Sequence, residues 1–64
     1  MTPEQALNHF GTQANIARAA DVEQPSVFLW FKNGRIPALS QLRLEEAAKG
    51  ELRADPDIPR GYRG

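Results

Sequence analysis

Cysteine, long apolar runs and an excess of charge of either sign are all missing from this 64-residue chain. Without cysteine, neither disulfide bonds nor thiolate zinc sites can support the thin core of so short a chain. No apolar run approaches the roughly 20 residues that cross a bilayer, and the first residues lack the features of a secretion signal. We therefore expect one small cytoplasmic domain, without a membrane partner, that depends on local helix signals.

The balance of charge limits the ligands that the chain can bind. Eight basic and eight acidic residues give a formal net charge of zero. This balance is unlike the broadly basic surface of most nucleic-acid binders, so any DNA binding has to be local. Arg18 is the one basic residue before Lys32, and the basic residues concentrate from there onward.

Capping residues predict the first two helices. Thr2 and Gln5 have the spacing of a capping box, and Pro3 suits the first helical position, so the first helix begins at Pro3. It ends near Phe10, before a glycine. Thr12 is the cap of the second helix, which is short and rich in alanine.

Two further helices follow from proline and glycine positions. The third begins around residues 23–24, because Pro25 suits a first turn, and it stops at Asn33 and Gly34. Residues 27–31 also have strand propensity, but these flanking signals favour a helix. The fourth helix opens at residues 36–37 and ends at residues 49–50.

Together these signals predict an all-α fold, a small helix-turn-helix domain of about four helices with an extended C-terminal tail. The domain is assigned to residues 1–50. Residues 51–64 form the tail, which is extended because prolines deny a short strand there a hairpin partner. We expect this tail to be linked to dimerisation or to be partly disordered. Leu52 or Ile58 is expected to dock part of it.

Residues 12–31 have the pattern of a helix-turn-helix motif, with an alanine-rich helix, a tight turn and a helix that starts on polar residues. Ala17 is small where the two helices cross, and Val22 and Val27 are apolar anchors beneath the turn. Asp21 stands where glycine is common, and aspartate tolerates a positive φ better than most residues.

Four stretches carry a resemblance to a known family: His-Phe-Gly-Thr-Gln at 9–13, Ala-Arg-Ala-Ala at 17–20, Gln-Pro-Ser-Val at 24–27 with Trp30, and Gly-Arg-Ile-Pro at 34–37. Over about its first fifty residues the chain resembles the small Cro repressors of lambdoid bacteriophages and prophages. The resemblance implies a lambda-repressor-like fold and a sequence-specific transcriptional repressor. It also implies a homodimer on double-stranded, pseudo-palindromic operator DNA in the bacterial cytoplasm or nucleoid.

Carried over residue by residue, the resemblance assigns two sets of DNA contacts. Base contacts fall on a recognition helix at about residues 24–32 in the major groove: Gln24, Pro25, Ser26, Phe28 and Leu29. Phosphate contacts fall at the start of the second helix and after the third: Thr12, Gln13, Asn15, Lys32 and Arg35. Gln24 is the best base reader because a glutamine can bond an adenine edge twice, and Ser26 is the second.

Phe28 and Leu29 depart from the family pattern, which has polar readers at these positions. Pressed on thymine methyl groups, they would give a less discriminating code. Alternatively, they form an apolar patch for a protein partner or for self-association, as in an antitoxin-like interaction module. A third interpretation is an altered surface that no longer fits an ancestral operator.

No catalytic, metal or cofactor site is expected, nor a small-molecule ligand. His9 has no second histidine or cysteine to join it, so it is interpreted as a surface or helix-end residue. Glu45 and Glu46 point about 100° apart on a helix and are interpreted as solvated surface. With neither a glycine-rich phosphate loop nor a nucleophile beside a base, the chain is not expected to be an enzyme.

Overall fold

The computed structural model describes residues 1–59 and 61, and these residues contain four helices and no strand. The helices are α1 (Pro3–Phe10), α2 (Gln13–Ala20), α3 (Gln24–Asn33) and α4 (Ala38–Ala47). The all-α prediction is therefore confirmed, and each helix begins within two residues of its predicted start. Among the described residues, no helix is both long and apolar enough to span a membrane.

Side-chain caps fix the starts of the first two helices. Thr2 Oγ1 accepts from Gln5 N at 3.1 Å and Gln5 Oε1 accepts from Thr2 N at 2.9 Å, which confirms the predicted capping box. Thr12 Oγ1 accepts from Asn15 N at 3.1 Å at the start of α2. Glu23 precedes α3 without a side-chain cap.

The turn between α2 and α3 depends on a left-handed residue. Asp21 has φ 58° and ψ 47°, as its place in the motif predicts. The chain then reverses, and Val22 N donates to Ala17 O at 3.0 Å. Gly34, with φ 75°, ends α3 in the same region of backbone space.

Helix α2 lies at the centre of the domain and packs against α1, α3 and α4. Ala17 is buried, which permits the close approach of a neighbouring helix. Trp30 is buried and Phe31 is half-buried, so both belong to the core as predicted. The buried core cluster consists of Met1, Ala6, Ile16, Ala17, Ala20, Val27, Trp30, Ile36 and Leu44.

The segment after α4 folds back on the helices through turns and irregular backbone. Ala54 and Ile58 are buried and Leu52 packs half-buried against the core, which confirms the predicted docking. The rest of the predicted tail, residues 60 and 62–64, lies outside the described residues. The division into a domain at 1–50 and a tail at 51–64 stays a prediction.

Candidate nucleic-acid interface

One side of α3 is buried and the other is open to solvent. Val27 is fully buried and Trp30 nearly so, and both face the core. The exposed side consists of two rows in which residues follow one another at intervals of four. The first row is Gln24, Phe28 and Lys32, and the second row is Pro25, Leu29 and Asn33. We call these two rows the open face of α3.

Two large apolar side chains lie in the middle of the open face. Phe28 is 59% exposed and Leu29 is 51% exposed, and among the described residues they are the exposed large hydrophobic side chains. Both were predicted as base contacts. The fold therefore leaves apolar surface on the helix that the motif would insert into DNA, while it buries such surface elsewhere.

Four of the five predicted base-contacting residues lie on the open face, and Ser26 does not. Its side chain is half-buried at the edge of α3, and its backbone N donates to Glu23 O at 3.0 Å. Asn33 occupies the open face although the sequence pattern indicated only a helix stop there. The four-residue spacing from Pro25 and Leu29 is the signal that would have found it.

The start of α2 lies beside the start of α3. A shallow cleft of about 510 Å³ is lined by Gln13, Gln24, Pro25 and Phe28. It joins a residue predicted to bind phosphate with three that were predicted to contact bases. The cleft therefore presents two amide side chains next to an apolar wall.

The other predicted phosphate contacts at α2 also serve the fold. Thr12 is engaged in the helix cap, and Asn15 Nδ2 donates to Phe10 O at 2.9 Å. These bonds hold the N-terminus of α2 in place. The free backbone amides of a helix N-terminus bind anions, as a phosphate contact requires.

Two exposed cations lie at the C-terminal end of the open face. Lys32 was predicted to follow the third helix but lies in its last turn, because α3 continues to Asn33, and Arg35 lies in the loop that leads to α4. That loop is anchored on both sides of Arg35, because Arg35 N donates to Trp30 O at 3.1 Å and Ile36 is fully buried. Both positive charges are therefore held near the C-terminal end of α3.

Known proteins are similar to this chain in sequence and in fold. The family model of the DNA-binding transcriptional regulator Cro matches residues 2–62. The repressor protein of division inhibition gene dicB from Escherichia coli strain K12 is 36% identical over 63 residues, which are 98% of this chain and 82% of that protein. The structure of N15 Cro complexed with consensus operator DNA is similar with a TM-score of 0.77 and 33% identity, over 86% of this chain and 87% of that one. The chain belongs to the family of Cro DNA-binding transcriptional regulators.

Proposed function

We propose that this Cro-type transcriptional repressor inserts α3 into the major groove of a pseudo-palindromic operator. The open face of α3 carries the proposal, because it is exposed along the helix and places Gln24 and Lys32 at its two ends. N15 Cro, which is similar in fold and was solved in complex with consensus operator DNA, supports operator DNA as the partner. A helix of this kind reads bases with the side chains at its N-terminal end.

Gln24 is the principal base reader in this proposal. It is exposed at the first position of α3, and a glutamine bonded twice to an adenine edge gives roughly 1–3 kcal/mol of discrimination. Ser26 contributes from the edge of the helix. Pro25, Phe28 and Leu29 face the same groove and make its apolar contacts.

Phosphate groups are held at both ends of the helix pair. Thr12, Gln13 and Asn15 surround the N-terminus of α2, whose free amides and partial positive charge attract one phosphate. Lys32 and Arg35 neutralise phosphates at the other end of α3. These contacts fix the position of α3 without reading sequence.

A homodimer is proposed because one subunit offers few contacts. Two copies related by two-fold symmetry would meet half-sites about 34–36 Å apart. The exposed side of α4 and the tail are the proposed dimer surface, and the thin core favours a weak dimer. The protein would act at the bacterial nucleoid in the cytoplasm, without enzymatic activity, a cofactor or a small-molecule ligand.

Selection from a randomised duplex library tests the proposal. The enriched duplex and a scrambled duplex are then titrated at two salt concentrations. We expect an enriched palindrome that binds far better than the scramble. Enrichment of no duplex, with weak salt-sensitive binding only, would contradict the proposal.

Gln24→Ala tests the reader, and Lys32→Ala is its matched control. Both residues lie in the same row of the open face. Gln24→Ala should lower affinity for the operator more than for the scramble, whereas Lys32→Ala should lower both alike. Equal losses from Gln24→Ala on the two duplexes would remove Gln24 from the role of base reader.

A further inference from the structure

The apolar centre of the open face is suited to contact an apolar group of a ligand. Phe28 and Leu29 are more than half exposed in a domain small enough to need its large side chains in the core. In the major groove, the apolar group that a base pair presents is the 5-methyl group of thymine. Thymine is therefore the base whose chemistry matches these side chains.

The placement of the two side chains determines which base pairs they reach. Phe28 follows Gln24 by four residues, which is about 6 Å along the helix axis. Successive base pairs are about 3.4 Å apart, so Gln24 and Phe28 meet different base pairs. A separation of about 6 Å corresponds to at most about two base-pair steps, so those base pairs lie within two steps of each other. Leu29 stands beside Phe28 in the second row and extends the apolar contact.

The surroundings of the two residues favour DNA over a protein partner. Gln24 and Lys32 flank Phe28 in its own row, and they supply a donor for a base edge and a cation for phosphate. Two side chains also make a small patch, whereas a stable protein interface buries about 800 Å² on each partner. A protein partner would have to bury Gln24 and Lys32 as well.

We propose that Phe28 and Leu29 recognise the 5-methyl groups of thymines within about two base pairs of the adenine that Gln24 reads. The inference rests on the proposed function, since it places α3 in the major groove. The operator that this chain binds therefore has half-sites with thymines at fixed positions. Specificity at these positions comes from methyl contact in place of hydrogen bonding.

Replacing thymine with uracil tests the proposal, because the exchange removes the methyl group and keeps every hydrogen-bonding group of the pair. Each thymine of the duplex enriched by selection is replaced in turn. We expect about fourfold weaker binding for each contacted methyl group, which corresponds to one buried carbon. Thymines outside the contacted positions should give no change.

Protein variants assign the methyl groups to side chains. In each of the variants Phe28→Ser and Leu29→Ser, the exchange of thymine for uracil at one operator position should no longer weaken binding. A double-mutant cycle measures this loss. Lys32→Ala is the control, since it should weaken both duplexes and preserve their ratio. Because Phe28 and Leu29 are exposed, both variants should keep the thermal midpoint of the original chain.

The outcomes separate this proposal from the proposed function. If the chain binds its operator selectively but no uracil exchange changes the affinity, methyl recognition is wrong. The assignment of α3 as the DNA-binding helix would still stand. Failure to enrich any duplex would overturn both. If Phe28→Ser and Leu29→Ser keep full operator affinity but lose self-association, the apolar centre binds a second copy and methyl recognition is wrong.

Discussion

Gln41 and Asp55 bond to each other twice. Gln41 Nε2 donates to Asp55 Oδ2 at 3.2 Å, and Asp55 N donates to Gln41 Oε1 at 3.0 Å. Gln41 is fully buried in α4, and its Nε2 also donates to Ile36 O at 2.8 Å. Its Oε1 accepts from the amino group of Met1 at 3.0 Å. One amide thus connects α4 to Met1, to the loop that carries Arg35 and to the segment after α4.

Gln41→Met should destabilise the fold, although methionine fills about the same volume as glutamine. The exchange leaves the buried Ile36 O and the partly buried Asp55 N without their partners on Gln41, and an unsatisfied buried group costs about 1–3 kcal/mol. We expect the free energy of unfolding to fall by roughly 2–3 kcal/mol in urea titrations, a large part of the stability of so small a domain.

Leu42→Met is the matched control, at a half-buried position next to Gln41 on the same helix. It conserves volume and removes no hydrogen bond, so its effect should stay below about 1.5 kcal/mol. If the two variants unfold at the same urea concentration, the hydrogen bonds of Gln41 contribute nothing measurable to stability.

The carboxylate of Asp55 should make stability depend on pH in the acid range. Its pKa is lowered from 3.8, first by the hydrogen bond from the amino group of Met1 and next by the hydrogen bond from Gln41. The folded chain therefore holds the proton less tightly than the unfolded chain. This contribution is complete above the unfolded pKa, and it is lost as the pH falls through the lower folded pKa.

Asp55→Asn isolates that contribution. The thermal midpoints of the original chain and of the variant should differ at pH 6 and converge as the pH falls through the lowered folded pKa of Asp55. Asp57→Asn, at an exposed position two residues away, is the control for the loss of a negative charge. A constant difference between the original chain and Asp55→Asn over the whole range would show that Asp55 acts through its shape alone.

The helices could be predicted because their signals are local. A threonine and a glutamine three residues apart, or a proline in a first turn, act within one helical turn. The bonds of Gln41 to Asp55 and to Met1 join residues that are 14 and 40 positions apart in sequence, and no local pattern encodes them. Nothing in the sequence marked Gln41 as more than one polar residue of an amphipathic helix.

The candidate site was predictable to a similar extent. The resemblance assigned Gln24, Phe28 and Leu29 to one recognition helix, and the structure places all three on the open face of α3. The half-buried position of Ser26 was not readable, since it depends on the rotation of α3 about its axis where it packs against α2. The rotation is set by how the core side chains of both helices pack against each other, and the pattern of a single helix does not encode that packing.

Asp21→Gly should stabilise the fold. A left-handed backbone strains any residue with a Cβ atom, and Asp21 also places a negative charge at the C-terminal end of α2. We expect the free energy of unfolding to rise by about 0.5–1 kcal/mol for Asp21→Gly and to fall for Asp21→Ala. Chemical denaturation measures both. Equal stability of the two variants would mean that the φ of 58° carries no strain.

The affinity for the operator should fall only slowly as the salt concentration rises. Lys32 and Arg35 should account for most of that fall. Each phosphate contact that is lost reduces the slope of log K against log salt by about 0.9. Lys32→Ala and Arg35→Ala should each lower the slope by about 0.9 per subunit, and therefore by about 1.8 for the proposed dimer. Arg53→Ala is the control, because Arg53 lines a different groove with Gln5 and His9 of α1. A slope that falls with Arg53→Ala and not with Lys32→Ala would place the DNA on the α1 side of the domain.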